Sequence, residues 1–281
     1  MYDLHLHSTY SDGTCDVAEL LERAAQAGVV GLSLTDHDGL WGLAEAATIA
    51  AQRGLRWLEG IEVSAVEEPA RVHVLGYSRG FDRAIIEAGL AETRQAHYDR
   101  LVALVAACHQ AGYGNVSLEA IEATRATQLR PGFVTYDVEQ ELIRAHQLTP
   151  NEAHRLTTPG GTCYVEYDHR RALTPLAAID LIHQAGGVAV LAHPGIIAHE
   201  GSEQQMLSLI SQLAEKLDGL EVNHPFHSRK LTGQLAALAG ERELVVTGGS
   251  DWHGEGRYDD TALGQTGISK RQWEQLLERI G

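Results

Sequence analysis

Short apolar runs alternate with amphipathic ones along this chain. Residues 2–6 alternate apolar and polar side chains, which predicts a strand almost at the first residue. Asp16 followed by Glu19 has the form of a capping box. The run VAELLERAAQA after it has helical spacing, and Gly28 closes it. Residues 29–35, VVGLSLT, form a β-branched apolar run bounded by Gly and Asp, which predicts a buried strand. Residues 40–53 are Ala-rich and helical, ended by Gly54, and residues 56–66 and 71–77 predict further strands. From Phe81 the pattern changes. Residues 82–111 predict one long helix, or two broken near Gly89. Residues 117–158 predict three shorter ones with Pro131, Pro150 and Pro159 between them. Extended structure returns at 160–167. Helices over 175–185, 203–217 and 229–239 then alternate with strands over 187–194, 219–224 and 243–251, and the last helix covers 269–280.

Such β-α alternation predicts an α/β fold with a parallel sheet and helices outside. Seven or so strands favour a closed or nearly closed barrel over an open doubly wound sheet. No strand signal falls between about residues 95 and 160. That stretch is expected to be a helical insertion or cap, with the barrel formed by residues 1–94 and 161–281. Neither GxGxxG nor GxxxxGK[ST] occurs, so the usual dinucleotide and P-loop sites lack their residues.

Composition narrows the function. With 281 residues and 44% hydrophobic content the chain can bury a large core without disulfides. Its formal net charge of −16 opposes the coating of duplex DNA, which needs clustered Lys and Arg. A small anionic ligand held by metal ions remains compatible with that charge. No run of 18 apolar residues occurs, and the opening MYDLHLHS lacks the basic and apolar regions of a signal peptide. Cys15, Cys108 and Cys163 share no close spacing, which suits a reducing cytoplasm and argues against a zinc ribbon.

The 15 histidines are the unusual count. His5 and His7 alternate with Leu4 and Leu6, and period two points both imidazoles to one face. Asp12 follows in the next loop. Asp36, His37 and Asp38 follow VVGLSLT, and Glu62 ends LEGI. His73 lies in VHVLG, His193 follows VAVLA, Glu221 lies in GLEV, and Asp251 and His253 follow VVTGGS. The strand C-termini of a parallel α/β barrel converge on one mouth, so residues scattered along the chain are expected to meet in one pocket. Burying them without cations costs several kcal/mol in unpaired polar groups. Imidazole plus carboxylate without thiolate suits Zn²⁺, Mn²⁺ or Fe²⁺, and so many ligands exceed one tetrahedral site. Two or three ions with a shared carboxylate are therefore expected. His97, His109, His146, His154, His169, His183 and His199 fall on predicted helices or loops and are expected on solvated faces. Asp36 and Asp38 also suit helix N-caps.

The motifs DLHLHS at 3–8, Asp12, TDHD at 35–38, GIE at 60–62, VHVLGY at 72–77, AHP at 192–194 and SDWH at 250–253 resemble those of the PHP-domain (polymerase and histidinol phosphatase) phosphoesterases, in the family's order. The helical stretch before AHP and DGLEVNHPFHS at 218–228 make the chain most similar to the bacterial nucleoside 3′,5′-bisphosphate phosphatases and 5′→3′ exoribonucleases. The resemblance implies a distorted (β/α)7 barrel and a trinuclear site. By motif, His5, His7, Glu62 and Asp251 would hold one ion. Glu62 would bridge to a second held by His73 and His193, and Asp12, His37 and His253 would hold a third. Glu62 and Asp251 thereby count as catalytic. His224 and His227 would contact phosphate, with His227 also a proton donor. Two chemical features differ from relatives. Asp12 stands where some have His, and Arg130-Pro131 is followed by Gly132 where the subgroup usually has His.

The implied activity is metal-dependent release of the 3′-phosphate from a small nucleotide such as adenosine 3′,5′-bisphosphate. Cleavage of a cyclic phosphate, digestion of short 5′-phosphorylated RNA ends, a histidinol-phosphatase-like activity and a non-catalytic polymerase-accessory module are the alternatives. Beyond the ions, the guanidinium of Arg130 can fork onto phosphate. Ser228, Arg229 and Lys230 add donors, and Trp41 and Trp252 are candidates to flank a base. The expected partner is a small phosphorylated molecule, with neither membrane nor duplex DNA.

Overall fold

Seven strands lie side by side in chain order in the computed structural model, which describes all residues except 69, 128–131 and 256–261. They are β1 (Tyr2–Asp3), β2 (Gly31–Leu34), β3 (Arg56–Glu67), β4 (Ala70–Ser78), β5 (Val188–Leu191), β6 (Gly219–Asn223) and β7 (Val245–Gly248). The helices are α1 (Val17–Gln26), α2 (Leu43–Arg53), α3 (Arg83–Gly89), α4 (Ala91–Gln110), α5 (Leu118–Thr127), α6 (Thr135–His146), α7 (Pro150–Thr157), α8 (Pro175–Gln184), α9 (Pro194–Glu200), α10 (Glu203–Leu213), α11 (Arg229–Glu241) and α12 (Lys270–Ile280). None of the described helices is long and apolar enough to cross a membrane.

The sheet is a nearly closed α/β barrel, but it is not wholly parallel. β4 runs antiparallel to both β3 and β5. Glu67 pairs with Ala70, and so tight a return can join only antiparallel strands. The seam between β7 and β1 is closed by the segments that follow them. Leu4 N–H donates to Gly248 O at 3.3 Å, Asp251 N–H to His5 O at 2.9 Å, and His7 N–H to Trp252 O at 3.1 Å. Gly249 permits this approach, because a Cβ there would sit 2.4 Å from the backbone N of His5.

Strand parity divides the interior into two ends. Leu58, Leu75, Tyr77 and Val190 form an apolar plug with Tyr2 and Leu4, sealed by Trp273 and Leu276 of α12. Two residues further along the same faces come His73, beyond Leu75, and, four beyond Leu58, Glu62. The opposite strand faces, including Ile61, Val63, Val74 and Leu191, pack on α1, α2, α8 and α10. Those helices follow from the expected local rules. Asp16 Oδ1 accepts from Glu19 N at 2.8 Å to start α1, and Val17, Leu20, Leu21 and Ala24 form its buried stripe.

Helices α4–α7, called the cap below, have an apolar cluster of their own. It contains Leu101, Leu104, Cys108, Ile121, Val138, Leu142, Ala153 and Cys163. The break between α3 and α4 falls at Leu90, next to Gly89. Residues 160–167, expected to be extended, lie in turns and coil outside any strand. Helix α9 was not predicted, because its seven residues are too few to show a helical period.

Candidate metal centre

Where the strands end, the backbone turns sharply and aims polar side chains inward. Asp38, His193 and Asp251 follow β2, β5 and β7 with φ of 52°, 26° and 51°. These left-handed conformations cost about 1–2 kcal/mol for a residue with a Cβ. The neighbouring contacts hold them there, the pattern expected where strain serves a site.

Four donor atoms converge first. His5 Nε2 lies 3.1 Å from Glu62 Oε2 and 3.2 Å from Asp251 Oδ1, and His7 Nε2 lies 3.1 Å from both oxygens. The other oxygen of Glu62 faces different rings. Oε1 is 2.8 Å from His73 Nδ1 and 2.9 Å from His193 Nε2, and those two nitrogens are 3.3 Å apart. A looser group adjoins them. Asp12 Oδ1 is 3.6 Å from His7 Nδ1 and 3.9 Å from His37 Nε2, and Asp12 Oδ2 is 3.4 Å from His253 Nε2. The rings of His7 and His253 stack at 4.2 Å. All nine residues expected as ligands are thus gathered at one end of the barrel.

The donor set fits divalent cations. The buried nitrogens His7 Nε2 and His37 Nδ1 have no hydrogen-bond partner although carboxylate oxygens lie close by. Tetrahedral ligands around Zn²⁺ stand about 3.4 Å apart, near the separations of the first group. The electrostatics agree. Burial opposes charge on Glu62, but His37, His5 and His73 outweigh it and hold that carboxyl well below the usual range. Burial is likewise outweighed at Asp251 by His5 and His253. His5 is pushed down by burial but held well above the imidazole range by Asp251, Glu221 and Glu62. The pocket therefore favours positive charge. Burial pushes His37 down to about 4 against the pull of Glu62 and Asp12, and a neutral imidazole is the ligand form.

A second layer orients these ligands. Glu221, fully buried, places Oε1 3.0 Å from His5 Nδ1 and accepts from His193 N–H through Oε2 at 2.7 Å. That leaves His5 Nε2 directed at the cluster. His224 Nδ1 accepts from Phe226 N–H at 3.3 Å, so its proton sits on Nε2 and is donated to Asp251 Oδ2 at 3.2 Å. Asp36 accepts from Ser8 N–H at 2.8 Å and from the hydroxyls of Ser8 and Ser11 at 2.7 and 2.6 Å, which fixes the loop leading to Asp12. The cap adds Arg125. Its guanidinium, 3% exposed, donates to Thr9 O at 3.2 Å, Ser11 O at 2.8 Å and Asp137 Oδ1 at 2.7 Å. Glu221, Asp36 and His224 had a signal in the sequence, each as a polar residue in or after a predicted strand, though His224 was expected to contact phosphate. Arg125 had none, because helical spacing does not reveal a partner in a distant loop.

Several expected phosphate contacts have other work. His227 donates from Nδ1 to Val222 O at 2.9 Å and accepts Gly195 N–H at Nε2 at 3.0 Å, so neither nitrogen is left for phosphate or a proton. Burial lowers its pKa, in keeping with that neutral ring. His224 serves Asp251, and Ser228 Oγ caps α11 by accepting Leu231 N–H. Arg229 and Lys230 are exposed. Arg130 lies outside the described residues. Trp252 is buried in the core. Trp41 is wedged so tightly that a Cβ on Gly39 or Gly132 would stand 2.2 or 2.9 Å from its ring, with Arg94 over the indole. Asp36 and Asp38 do not cap α2, whose N-cap is Gly42. Five histidines expected in solvent are engaged instead, among them His169, which meets Glu166 at 3.3 Å. His97 reaches Asp38 at 3.1 Å, His154 Glu139 at 3.1 Å, His183 Asp218 at 2.7 Å and His109 the carbonyl of Val116 at 2.7 Å.

The PHP domain family profile matches residues 3–147. The chain is 34% identical to a phosphoribosyl 1,2-cyclic phosphate 1,2-diphosphodiesterase of Eggerthella lenta, covering 90% of this chain and 94% of that one. It is 32% identical to a 3′,5′-nucleoside bisphosphate phosphatase of Chromobacterium violaceum, covering 99% and 97%. It is 31% identical to the 5′-3′ exoribonuclease Rnm of Escherichia coli, covering 90% and 85%. Among solved structures, a Bifidobacterium adolescentis protein described as a metal-dependent phosphoesterase superimposes with a TM-score of 0.86 at 28% identity, covering 99% of this chain and 96% of that one.

Proposed function

The chain belongs to the PHP domain family and is a metal-dependent phosphoesterase, and from that premise we propose that it removes the 3′-phosphate of a small nucleoside 3′,5′-bisphosphate. The observation that carries the hydrolytic reading is Glu62. Its two oxygens face separate imidazole pairs, His5 with His7 and His73 with His193, as a carboxylate shared between two cations requires. His5, His7, Glu62 and Asp251 would hold one ion, Glu62, His73 and His193 a second, and Asp12, His37 and His253 a third. Mn²⁺, Zn²⁺ and Fe²⁺ all suit these donors. When bound, such ions acidify a water and polarise the phosphoryl oxygens.

The protein's own groups do the positioning. Glu221 fixes the rings of His5 and the backbone of His193, and His224 holds Asp251 with one oxygen turned to the cluster. Depth in the barrel keeps bulk water from Glu62 and His5, which strengthens every charge interaction there. No thiol takes part, since Cys15, Cys108 and Cys163 are buried and lie outside the donor groups.

The substrate reading is supported by the end-to-end likeness to the Chromobacterium phosphatase. The Eggerthella relative favours a second reading, opening of a phosphoribosyl cyclic phosphate by the same cluster. Incubation of the Mn²⁺-loaded protein with adenosine 3′,5′-bisphosphate is expected to yield inorganic phosphate and the 5′-nucleotide. A product that keeps its 3′-phosphate, or faster cleavage of the cyclic phosphate than of the bisphosphate, would overturn the first reading.

A further inference from the structure

Six large apolar side chains are exposed among the described residues: Met1, Val30, Val102, Leu176, Leu207 and Phe226. Phe226 is the most exposed at 56% and the only aromatic. The others precede a strand or lie in α4, α8 and α10. Phe226 alone follows the end of a barrel strand, β6, where the candidate ligands collect. A single exposed apolar residue is ordinary on a protein surface. The way this one is mounted is not.

Phe226 sits in the turn His224–His227. Pro225 presets φ at the second position, and His227 N–H donates to His224 O at 3.0 Å. The turn is pinned twice more. The His227 ring is clamped between Val222 O and Gly195 N–H, and Phe226 N–H donates to His224 Nδ1. The other side of that His224 ring holds Asp251. A rigid mount therefore ties the aromatic ring to a candidate metal ligand. The Phe226 ring lies 5.5 Å from that of His224, tilted by 42°, and the His224 ring lies 5.5 Å from that of His193. Two ring-to-ring steps, each of 5.5 Å, thus link Phe226 to His193 of the cluster.

We infer that Phe226 is the platform on which the nucleobase of the substrate stacks while a phosphate of the same nucleotide reaches the cluster. The inference rests on the nucleotide reading above. It assigns the base to a residue other than Trp41 or Trp252, whose rings are wedged or buried. Stacking is tolerant of base identity because every base has a π-face, so purines of either kind are expected to be accepted.

The test compares adenosine 3′,5′-bisphosphate with its abasic analogue, 1-deoxyribose 3,5-bisphosphate, on the Mn²⁺-loaded protein. The wild type is expected to prefer the nucleotide in kcat/KM. Phe226→Ala is expected to lower that preference about 5- to 150-fold, the range of one aromatic–base stack, mainly through KM. Phe226→Trp should keep the preference, and its indole fluorescence should be quenched when the 5′-nucleotide product binds. Leu207→Ala, an exposed apolar change on α10, should keep it too. A Phe226→Ala protein with the wild-type preference overturns the inference and leaves the nucleotide reading standing. A wild type that treats both compounds alike overturns the nucleotide reading, and this inference with it.

Discussion

The two sides of the donor cluster are built differently. His5, His7 and Glu62 are at most 1% exposed, and the two imidazoles meet Glu62 and Asp251 at 3.1–3.2 Å. They stand on β3 and on the segments that close the barrel seam, and Glu221 and His224 hold them from behind. Asp12 and His37 are 15% and 16% exposed and stand 3.9 Å apart. They ride on loops, and those loops are braced by the cap. Arg125 grips Thr9 and Ser11, Arg94 donates to Asp38 O at 3.2 Å, and His97 meets the Asp38 carboxylate. Ligands on a closed barrel are preorganised by the fold itself. Ligands on loops take their positions from whatever packs on the loops, so the cap becomes part of that half of the site.

The largest expected effect comes from the carboxylate shared by two of the proposed ion positions, one held with His5, His7 and Asp251 and one with His73 and His193. Glu62→Gln should lower kcat/KM about 1,000-fold or more, since Lewis-acid stabilisation is worth several kcal/mol. Metal content measured on the purified variant should fall at the two positions that share Glu62. Full metal content with normal turnover would erase the distinction between shared and private ligands.

Arg125→Ala separates the halves. It leaves Asp137 without the guanidinium and two loop carbonyls without donors. Loss of a buried charge partner of this kind costs about 3–5 kcal/mol, readable as a drop in denaturant midpoint. If the protein is saturated with Mn²⁺ and the weakest-bound ion is titrated, that ion should be the one lost. Equal loss from all positions would show that the cap does not favour one half.

Glu221→Gln probes the rigid half. Outer-layer carboxylates behind a metal-bound imidazole are worth about 10–100-fold in metal affinity. Isothermal titration should show that weakening in the tightest site. An unchanged affinity would mean that the barrel alone orients His5.

The smallest expected effect concerns the cap core. Burial, and then the neighbouring Cys163, push the Cys108 thiol up to about 12. An unfolded thiol ionises near pH 8.5. The folded cap therefore disfavours thiolate, and its stability is intact below about pH 8.5 and declines as pH rises towards 12. Alkylation of native protein at pH 8 should leave Cys108 unmodified, and rapid modification would show that the cap opens more readily than its packing implies.

Much of this site was legible because strand ends and metal chemistry both leave marks in sequence. His5, His7, Glu62, His73 and His193 flank or sit in apolar runs, where a buried imidazole or carboxylate needs a partner. The direction of β4 was not legible, because alternation of apolar and polar residues is the same in parallel and antiparallel strands. Nor were the duties of His97, His224, His227 and Arg125. A polar residue on a helix or in a turn looks alike whether it faces water or a carbonyl far away in the chain.

The sequence by itself determined which imidazoles and carboxylates stand in or beside strands, about how many strands there are and that the middle of the chain is helical. These follow from local pattern and from the chemistry of single residues. Only the tertiary structure decided which oxygen of Glu62 serves which imidazoles, that His227 anchors a turn while Phe226 stands in solvent, and that a cap arginine secures the loop before Asp12. Each of those depends on the distance between groups remote in the chain, and hydrogen bonding and burial are set by that distance alone.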